Sequence, residues 1–388
     1  MLFTPGEFPR EPGPSAEWKS AAAGPEELGD RHVDELLIET TNRGASDLHL
    51  TEGLPPMIRL DGKLQSLPFL PLISRDIQRL VYDVMTRPQI QAFENIRELD
   101  FSYGIAGVGR FRFNVYRQRG AVGAAMRAIP HRIPALEELK LPSNLRDLVR
   151  KKSGLVLVTG ATGSGKSTTI AALIDVINTE RECHVMTIED PIEYLHTHKR
   201  AMVNQREVGQ DTNTFANALR AVLREDPDVI LIGEMRDLET IGAAITMAET
   251  GHLVLATLHT RSAALTLDRI VDVFPAYQQD QIKVQLSNAL EGVVSQQLLP
   301  RLGGGRVPAV EVMLATSAVR NLVRTGKTDQ LYSVIETGLA LGMQTMDRSL
   351  ANLVRSGAVS LDVARGCSID PDNFFRTLRG MGYAGGLV

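Results

Sequence analysis

Residues 160–167 read Gly-Ala-Thr-Gly-Ser-Gly-Lys-Ser, a GxxxxGK[ST] spacing, and Thr168 follows. Glycines let such a loop curl until successive backbone N–H groups point inward; a lysine adds a positive charge and a hydroxyl suits a divalent cation. That combination binds nucleoside triphosphate. Gly160, Ala161, Thr162, Gly163, Ser164, Gly165 and Thr168 would cradle the phosphates of ATP. Lys166 would reach the β- and γ-phosphates and Ser167 would hold Mg²⁺. An apolar run precedes the loop and an Ala- and Ile-rich helical pattern follows, so a helix dipole adds to the anion site.

Further polar groups stand just past apolar runs. In "DVILIGEMRD" this is Glu234, a carboxylate able to polarise an attacking water, preceded by Gly233 where Asp is usual. "TIEDPIE" supplies Glu189, Asp190 and Glu193, a second acidic group; Glu189 and Asp190 could reach Mg²⁺ through water. Glu193 also reads as a first-turn acid of a helix opened by Pro191. "ETGHLVLATLHT" places His252 before a strand and His259 after it. An imidazole at 259, beside Thr257 and Thr260, suits sensing of a γ-phosphate, whereas His252 reads equally well as structural. No Cys or Asp spacing around them marks a metal cluster. Upstream, Arg110, Arg112, Arg117, Arg119 and Arg127 offer guanidinium forks of the shape a triphosphate accepts.

These groups need elements that bring them together. The runs at 154–160, 184–190, 228–234 and 253–260 are apolar on both sides of the pleat and alternate with helical patterns. They specify an α/β fold with a mostly parallel sheet covered on both faces, and such sheets bind ligands at the carboxyl ends of their strands. The last hundred residues read as helices packed after the sheet. Before it lies a small α+β domain. Val33, Leu36, Leu37 and Thr40 predict a helix over His32–Thr41 ended by Gly44; strands follow at 47–50, 56–67 (turning at Asp61-Gly62) and 109–129, with an amphipathic helix from Ser74 to Met85. The organisation expected is a mobile tail over 1–30 carrying Trp18, a small domain over 31–130, and a proline-marked linker over 131–146. The ATPase domain then spans 147–374, and a tail 375–388.

Among 388 residues, 42 basic against 46 acidic give a net charge of -4, and no Lys/Arg run reaches five, which argues against nucleic acid as the partner. Cys183 and Cys367 lie far apart and form no CxxC pair, as expected in a reducing compartment without structural zinc. With no apolar run of about 18 residues and no signal-peptide pattern, a cytoplasmic protein without direct membrane insertion is expected.

The order of phosphate loop, "TIEDPIE", "GEMRD" and "TGHLVLATLHT" resembles the type II/IV secretion ATPase superfamily. Within it, "GASDLHLTEGLPPMIRLDGKL", "LVTGATGSGKSTT", "VNQREVGQDT" and "LREDPDVILIGEMRDLETI" resemble the PilT family, the type IV pilus retraction ATPases of twitching motility. The resemblance covers about residues 31–374. It implies a PAS-like small domain joined to a RecA-like P-loop ATPase domain, a homo-hexamer, and nucleotide between the two domains. Glu234 then carries over as catalytic glutamate, Glu193 as the acidic-box carboxylate, His259 as the histidine-box residue, and Arg112 and Arg127 as nucleotide-contacting arginines. Implied partners are the integral-membrane pilus platform protein and an auxiliary retraction ATPase, placing the motor at the inner face of the cytoplasmic membrane. The absence of a four-cysteine zinc insertion favours retraction over pilus extension or type II secretion. Ala318–Arg324 reads "AVRNLVR", similar to the family's "AIRNLIRE", with Thr325 in place of its Glu. That departure keeps a weakly hydrolysing auxiliary paralogue open as an alternative.

Overall fold

The computed structural model describes residues 25–60, 62–129 and 132–383; Trp18, Asp61 and Pro130 lie outside them. The chain divides after Ile129 into two compact units.

The first unit is a six-stranded antiparallel sheet: β1 (Asp47–Leu50), β2 (Met57–Leu60), β3 (Lys63–Ser66), β4 (Glu98–Ile105), β5 (Gly109–Gln118) and β6 (Ala121–Ile129), in the order β3-β2-β1-β6-β5-β4. Strand β5 alternates cleanly. Phe111, Phe113 and Val115 point into the core while Arg112 and Asn114 face outward, the pattern of a sheet with one wet face. Helices Val33–Asn42 and Ser74–Tyr82 bury their apolar stripes in that core. A third helix, Arg87–Ile96, escaped the sequence reading; it opens on a Thr86/Gln89 capping box with Pro88 in its first turn. Residues 25–30, expected to be part of a mobile tail, are instead tied down. Glu26 bridges to Phe69, and Leu28 is buried in the same core.

The second unit carries a seven-stranded sheet: β7 (Gly154–Thr159), β8 (His184–Glu189), β9 (Met202–Glu207), β10 (Val229–Ile232), β11 (Leu253–Leu258), β12 (Leu290–Pro300) and β13 (Arg306–Leu314). The order is β13-β12-β7-β11-β10-β8-β9, parallel throughout except for the β12–β13 pair. Leu155 and Leu157 of β7 enter the core on one side of the sheet, Val156 and Val158 the core on the other. This two-sided burial is why the central strands read as unbroken apolar runs. The last hundred residues correct the expectation of helices alone, because β12 and β13 form an antiparallel hairpin. Strand β12 hides Ser295 and Gln296 in its middle, with Gln297 half-buried beside them, which breaks the apolar signature. Leu136 and Leu141, in the stretch read as a linker, are buried in the second unit's core. Helix Pro371–Gly380 runs past residue 374, with Phe374 and Leu378 buried, so a tail from 375 does not describe it.

Glu311 sits on β13 at 1% exposure, accepting the Ala263 backbone N–H at 2.7 Å. Burial pushes its carboxyl up to about 7, against the bonds from Ala263 and Met346, with the nearby Asp347 charge adding to the rise. A carboxyl raised on folding stabilises the native state fully below its unfolded value near 4.5 and loses that contribution as pH rises through 7. Glu311→Gln keeps the acceptor and removes the charge. It should therefore stabilise the protein at pH 8 by at most on the order of 3 kcal/mol, raising the thermal midpoint there and leaving it unchanged at pH 4; equal shifts at both pH values would exclude a titrating Glu311.

Candidate active site

The phosphate loop joins β7 to helix Lys166–Glu180. Gly165 caps that helix in the left-handed region (φ 90°), so the chain turns sharply and leaves the first helical N–H groups without intrahelical partners. Lys166 is 8% exposed. Its ammonium donates to the carbonyls of Gly160 (2.8 Å) and Ala161 (3.0 Å) across the mouth of the loop. Burial draws the ammonium's pKa below its ordinary value, while the charges of Glu234 and Glu193 oppose that shift. The Ser164 hydroxyl is buried in the loop with no hydrogen-bond partner among the described residues. An orphaned hydroxyl beside a buried ammonium is what an anion with several oxygens would satisfy. The loop borders a cavity of about 560 Å³, closed on other sides by Arg261 and Ser262, by Gln297 on β12, and by the Cys367–Ile369 segment.

Glu234 follows β10 and is half-buried. Its Oε1 lies 3.0 Å from His259 Nε2, just past β11, and its Oε2 accepts from Arg236 at 2.7 Å. The Arg236 bond holds the carboxyl below its ordinary value against burial, with His259 reinforcing it. Strands β7, β11 and β10 are neighbours, so Lys166, His259 and Glu234 come from consecutive carboxyl ends of one parallel sheet. Gly233 has a steric reason to replace the usual Asp: a Cβ there would stand 3.1 Å from the Ile188 carbonyl and 3.2 Å from the Glu189 Cα. The Gly233 N–H bonds to that same carbonyl at 2.8 Å, drawing β10 onto β8.

The acidic loop after β8 is not helical, so the reading of Glu193 as a first-turn acid does not hold. Glu193 is exposed, and its backbone N–H donates to the Glu189 carboxylate. Glu189 also accepts from Thr187 (2.6 Å) and Gln205 (3.1 Å), yet burial outweighs these bonds and pushes its carboxyl up to about 7. Asp190 is exposed beside it. Tyr194 ties this loop to the phosphate-loop helix through a 2.9 Å contact with the Thr168 hydroxyl. His252 sits elsewhere, its Nδ1 3.0 Å from the Met247 carbonyl at the end of helix Leu238–Glu249, a structural cap.

Arg112 and Arg127 belong to the first unit, where they stand directly opposite each other on β5 and β6 with exposed side chains. Like charges in register repel. Acids on the flanking strands offset this: Asp47 accepts from Arg127 at 2.9 Å, and Asp100 lies 3.6 Å from Arg112. Burial works to raise the Asp47 carboxyl, but the Ser46 hydroxyl and Arg127 outweigh it and hold it below its ordinary value. Sequence reasoning missed Asp47, Arg236 and Gln296. Asp47, inside "GASDLHL", and Arg236, inside "GEMRD", stood in stretches already singled out, whereas Gln296 stood in none.

A phosphate loop between a buried strand and a helix, facing a carboxylate–imidazole pair on the adjacent strands, defines a P-loop nucleoside triphosphatase. Residues 136–304 match the family described as "Type II/IV secretion system protein". The chain is 51% identical over 342 residues to the type IV pilus retraction ATPase PilT of Pseudomonas aeruginosa, covering 88% of this chain and 99% of that protein. It is 49% identical to a twitching motility protein of Neisseria gonorrhoeae (80% and 83% covered) and 42% identical to the type IV pilus ATPase PilU of Pseudomonas aeruginosa (85% and 87%). A solved structure described as the pilus retraction motor PilT with bound ADP superposes with a TM-score of 0.85 at 50% identity, covering 89% of this chain and all of that one. The chain belongs to the PilT family of type IV pilus retraction ATPases.

Arg236→Ala removes the strongest influence keeping Glu234 ionised and leaves burial opposed by His259 alone. The acid limb of the pH profile of ATP turnover should then move to higher pH, and an unmoved limb would show that Arg236 does not set this ionisation.

Proposed function

We propose that this protein is a hexameric motor whose ATP hydrolysis powers retraction of a type IV pilus, and with it twitching motility. The supporting observation is the convergence of Lys166, Glu234 and His259 at adjacent strand ends, beside a loop with an unsatisfied buried hydroxyl. Loop N–H groups and Lys166 take the phosphates, and Lys166 exchanges its two carbonyl partners for phosphate oxygens. Mg²⁺ fits as an ion brought with the nucleotide, because no group of three or more His, Cys, Asp or Glu able to hold a metal stands among the described residues; Ser167 would hold it, with Glu189 and Asp190 contributing through water. When bound, the ion would neutralise charge on the β- and γ-phosphates.

Glu234, kept ionised by Arg236, orients and deprotonates the attacking water. His259, hydrogen-bonded to the same carboxylate, reports the state of the γ-phosphate to β11, and Glu193 adds negative field near Lys166. Arg112 and Arg127 are the proposed nucleotide-contacting arginines, since a guanidinium can stabilise charge developing in the transition state. In helix Ser317–Thr325, Val319, Leu322 and Val323 are buried, so valine in place of isoleucine keeps the inward face. Arg320 bonds the Ser287 and Asn288 carbonyls and Glu291, closing the end of helix Ala276–Ala289. Thr325 is exposed and bonds back to the Asn321 carbonyl, so the motif's missing acid would have stood at the surface. Among the described residues no helix is long and apolar enough to cross a membrane. Attachment at the inner face of the cytoplasmic membrane would run through an integral platform protein, with an auxiliary ATPase such as a PilU relative as a further partner.

Glu234→Gln should retain nucleotide and lose nearly all turnover, whereas Lys166→Ala should weaken binding itself, since charge-assisted hydrogen bonds are worth roughly 1.5–3 kcal/mol each. Wild-type turnover in the first variant, or unchanged affinity in the second, would refute these roles. Cells lacking the gene should carry abundant pili and fail to twitch. Bald cells would instead indicate pilus extension, and normal piliation with normal movement an auxiliary role.

A further inference from the structure

Gln296 lies in the middle of β12 at 3% exposure. Its Nε2 donates to the Ser164 carbonyl inside the phosphate loop at 2.7 Å, and its Oε1 accepts from the Thr169 hydroxyl, on the helix leaving that loop, at 2.8 Å. One amide therefore grips the loop and its helix together. The backbone approach is equally close: a Cβ at Gly160 would stand 2.3 Å from the Gln296 carbonyl, and one at Gly165 would stand 2.7 Å from its Nε2. Two of the loop's glycines thus make room for this strand. The preceding residue, Ser295, meets the Thr159 hydroxyl at 2.9 Å, fastening β12 to the entrance of the loop as well.

We propose that Gln296 is a positioning residue of the phosphate loop, fixing its open shape before nucleotide arrives. This rests on the phosphate-loop reading above and adds to it a side chain 132 residues away in sequence from the carbonyl it holds. Lys166 draws the Gly160 and Ala161 carbonyls toward the mouth of the loop. Gln296 holds the Ser164 carbonyl from the strand side and opposes that collapse. In a planar trans peptide, the carbonyl of one residue and the N–H of the next point in opposite directions. Fixing the Ser164 carbonyl on β12 therefore aims the Gly165 N–H away from the strand, toward the phosphates. Ligand binding then carries no cost of reordering the loop.

Gln296→Leu removes both bonds at similar volume. The Kd for ADP, measured by calorimetry on the full-length protein, should rise about tenfold or more, and KM for ATP should rise by a larger factor than kcat falls. Thr169→Val removes one of the two bonds and should give a smaller loss, with Thr169→Ser restoring affinity. The double variant should bind no more weakly than Gln296→Leu alone, because the bond that Thr169→Val removes is already lost in Gln296→Leu. A Gln296→Leu protein with a near-native thermal midpoint and an ADP Kd within about twofold of wild type would overturn the proposal, as would a loss confined to kcat. Should that variant not fold, unchanged ADP affinity in Thr169→Val overturns it instead. Lys166→Ala in the same assay separates the two ideas: normal ADP binding there removes the phosphate-loop reading, whereas weak binding there with normal binding in Gln296→Leu removes only this one.

Discussion

A buried ammonium group governs the design of the ATPase unit. Removing a charge from water is costly unless partners replace the solvent, and Lys166 lies at 8% exposure. Its immediate partners are two carbonyls of its own loop, the bonds that the proposed function has phosphates replace. Glu234 and Glu193 act on it at longer range, and each is fixed by contacts of its own: Glu234 between His259 and Arg236, Glu193 through the backbone bond to Glu189. The parallel sheet is what makes this possible. It delivers the loop, the imidazole and the carboxylate from consecutive strand ends, while burying both faces of the strands that carry them.

A similar economy operates in the small unit, with opposite sign. Two arginines placed in register across β5 and β6 would repel, so an interior carboxylate, Asp47, is inserted one strand away and held ionised by Ser46 and Arg127. Across that row Arg59, Asp47, Arg127 and Arg112 alternate incompletely, leaving an excess of positive charge on the outward face. Such an excess is useful only if something anionic neutralises it, in keeping with the proposed engagement of a triphosphate.

Much of this was legible in the sequence because it is local. The phosphate loop, its strand and its helix lie within about 27 residues, and β8, β10 and β11 announce themselves as apolar runs because both of their faces are buried. Glu234 and His259 could be placed at strand ends for the same reason. Strands β9 and β12 were opaque: "MVNQRE" lies at the sheet edge, and β12 buries Ser295 and Gln296 to satisfy the loop rather than to pack. Gln296 itself could not be read, since nothing in a run of Ser-Gln-Gln announces a bond to a residue 132 positions earlier. Leu28 misled through its setting, a proline- and glycine-rich stretch whose last few residues nevertheless find a core.

Strand β12 also has a mechanical character. Near one end, at an irregularity in its pairing with β7, Glu291 is gripped by Arg320 of the "AVRNLVR" helix and by Lys151 just ahead of β7. Five residues later, about 17 Å along an extended chain, Gln296 grips the phosphate loop. Between them the strand is paired on both sides, with β7 and β13, and has no slack to take up. It is shaped like a tie rod: one doubly paired strand runs without a break from the contact with the motif helix to the contact with the phosphate loop.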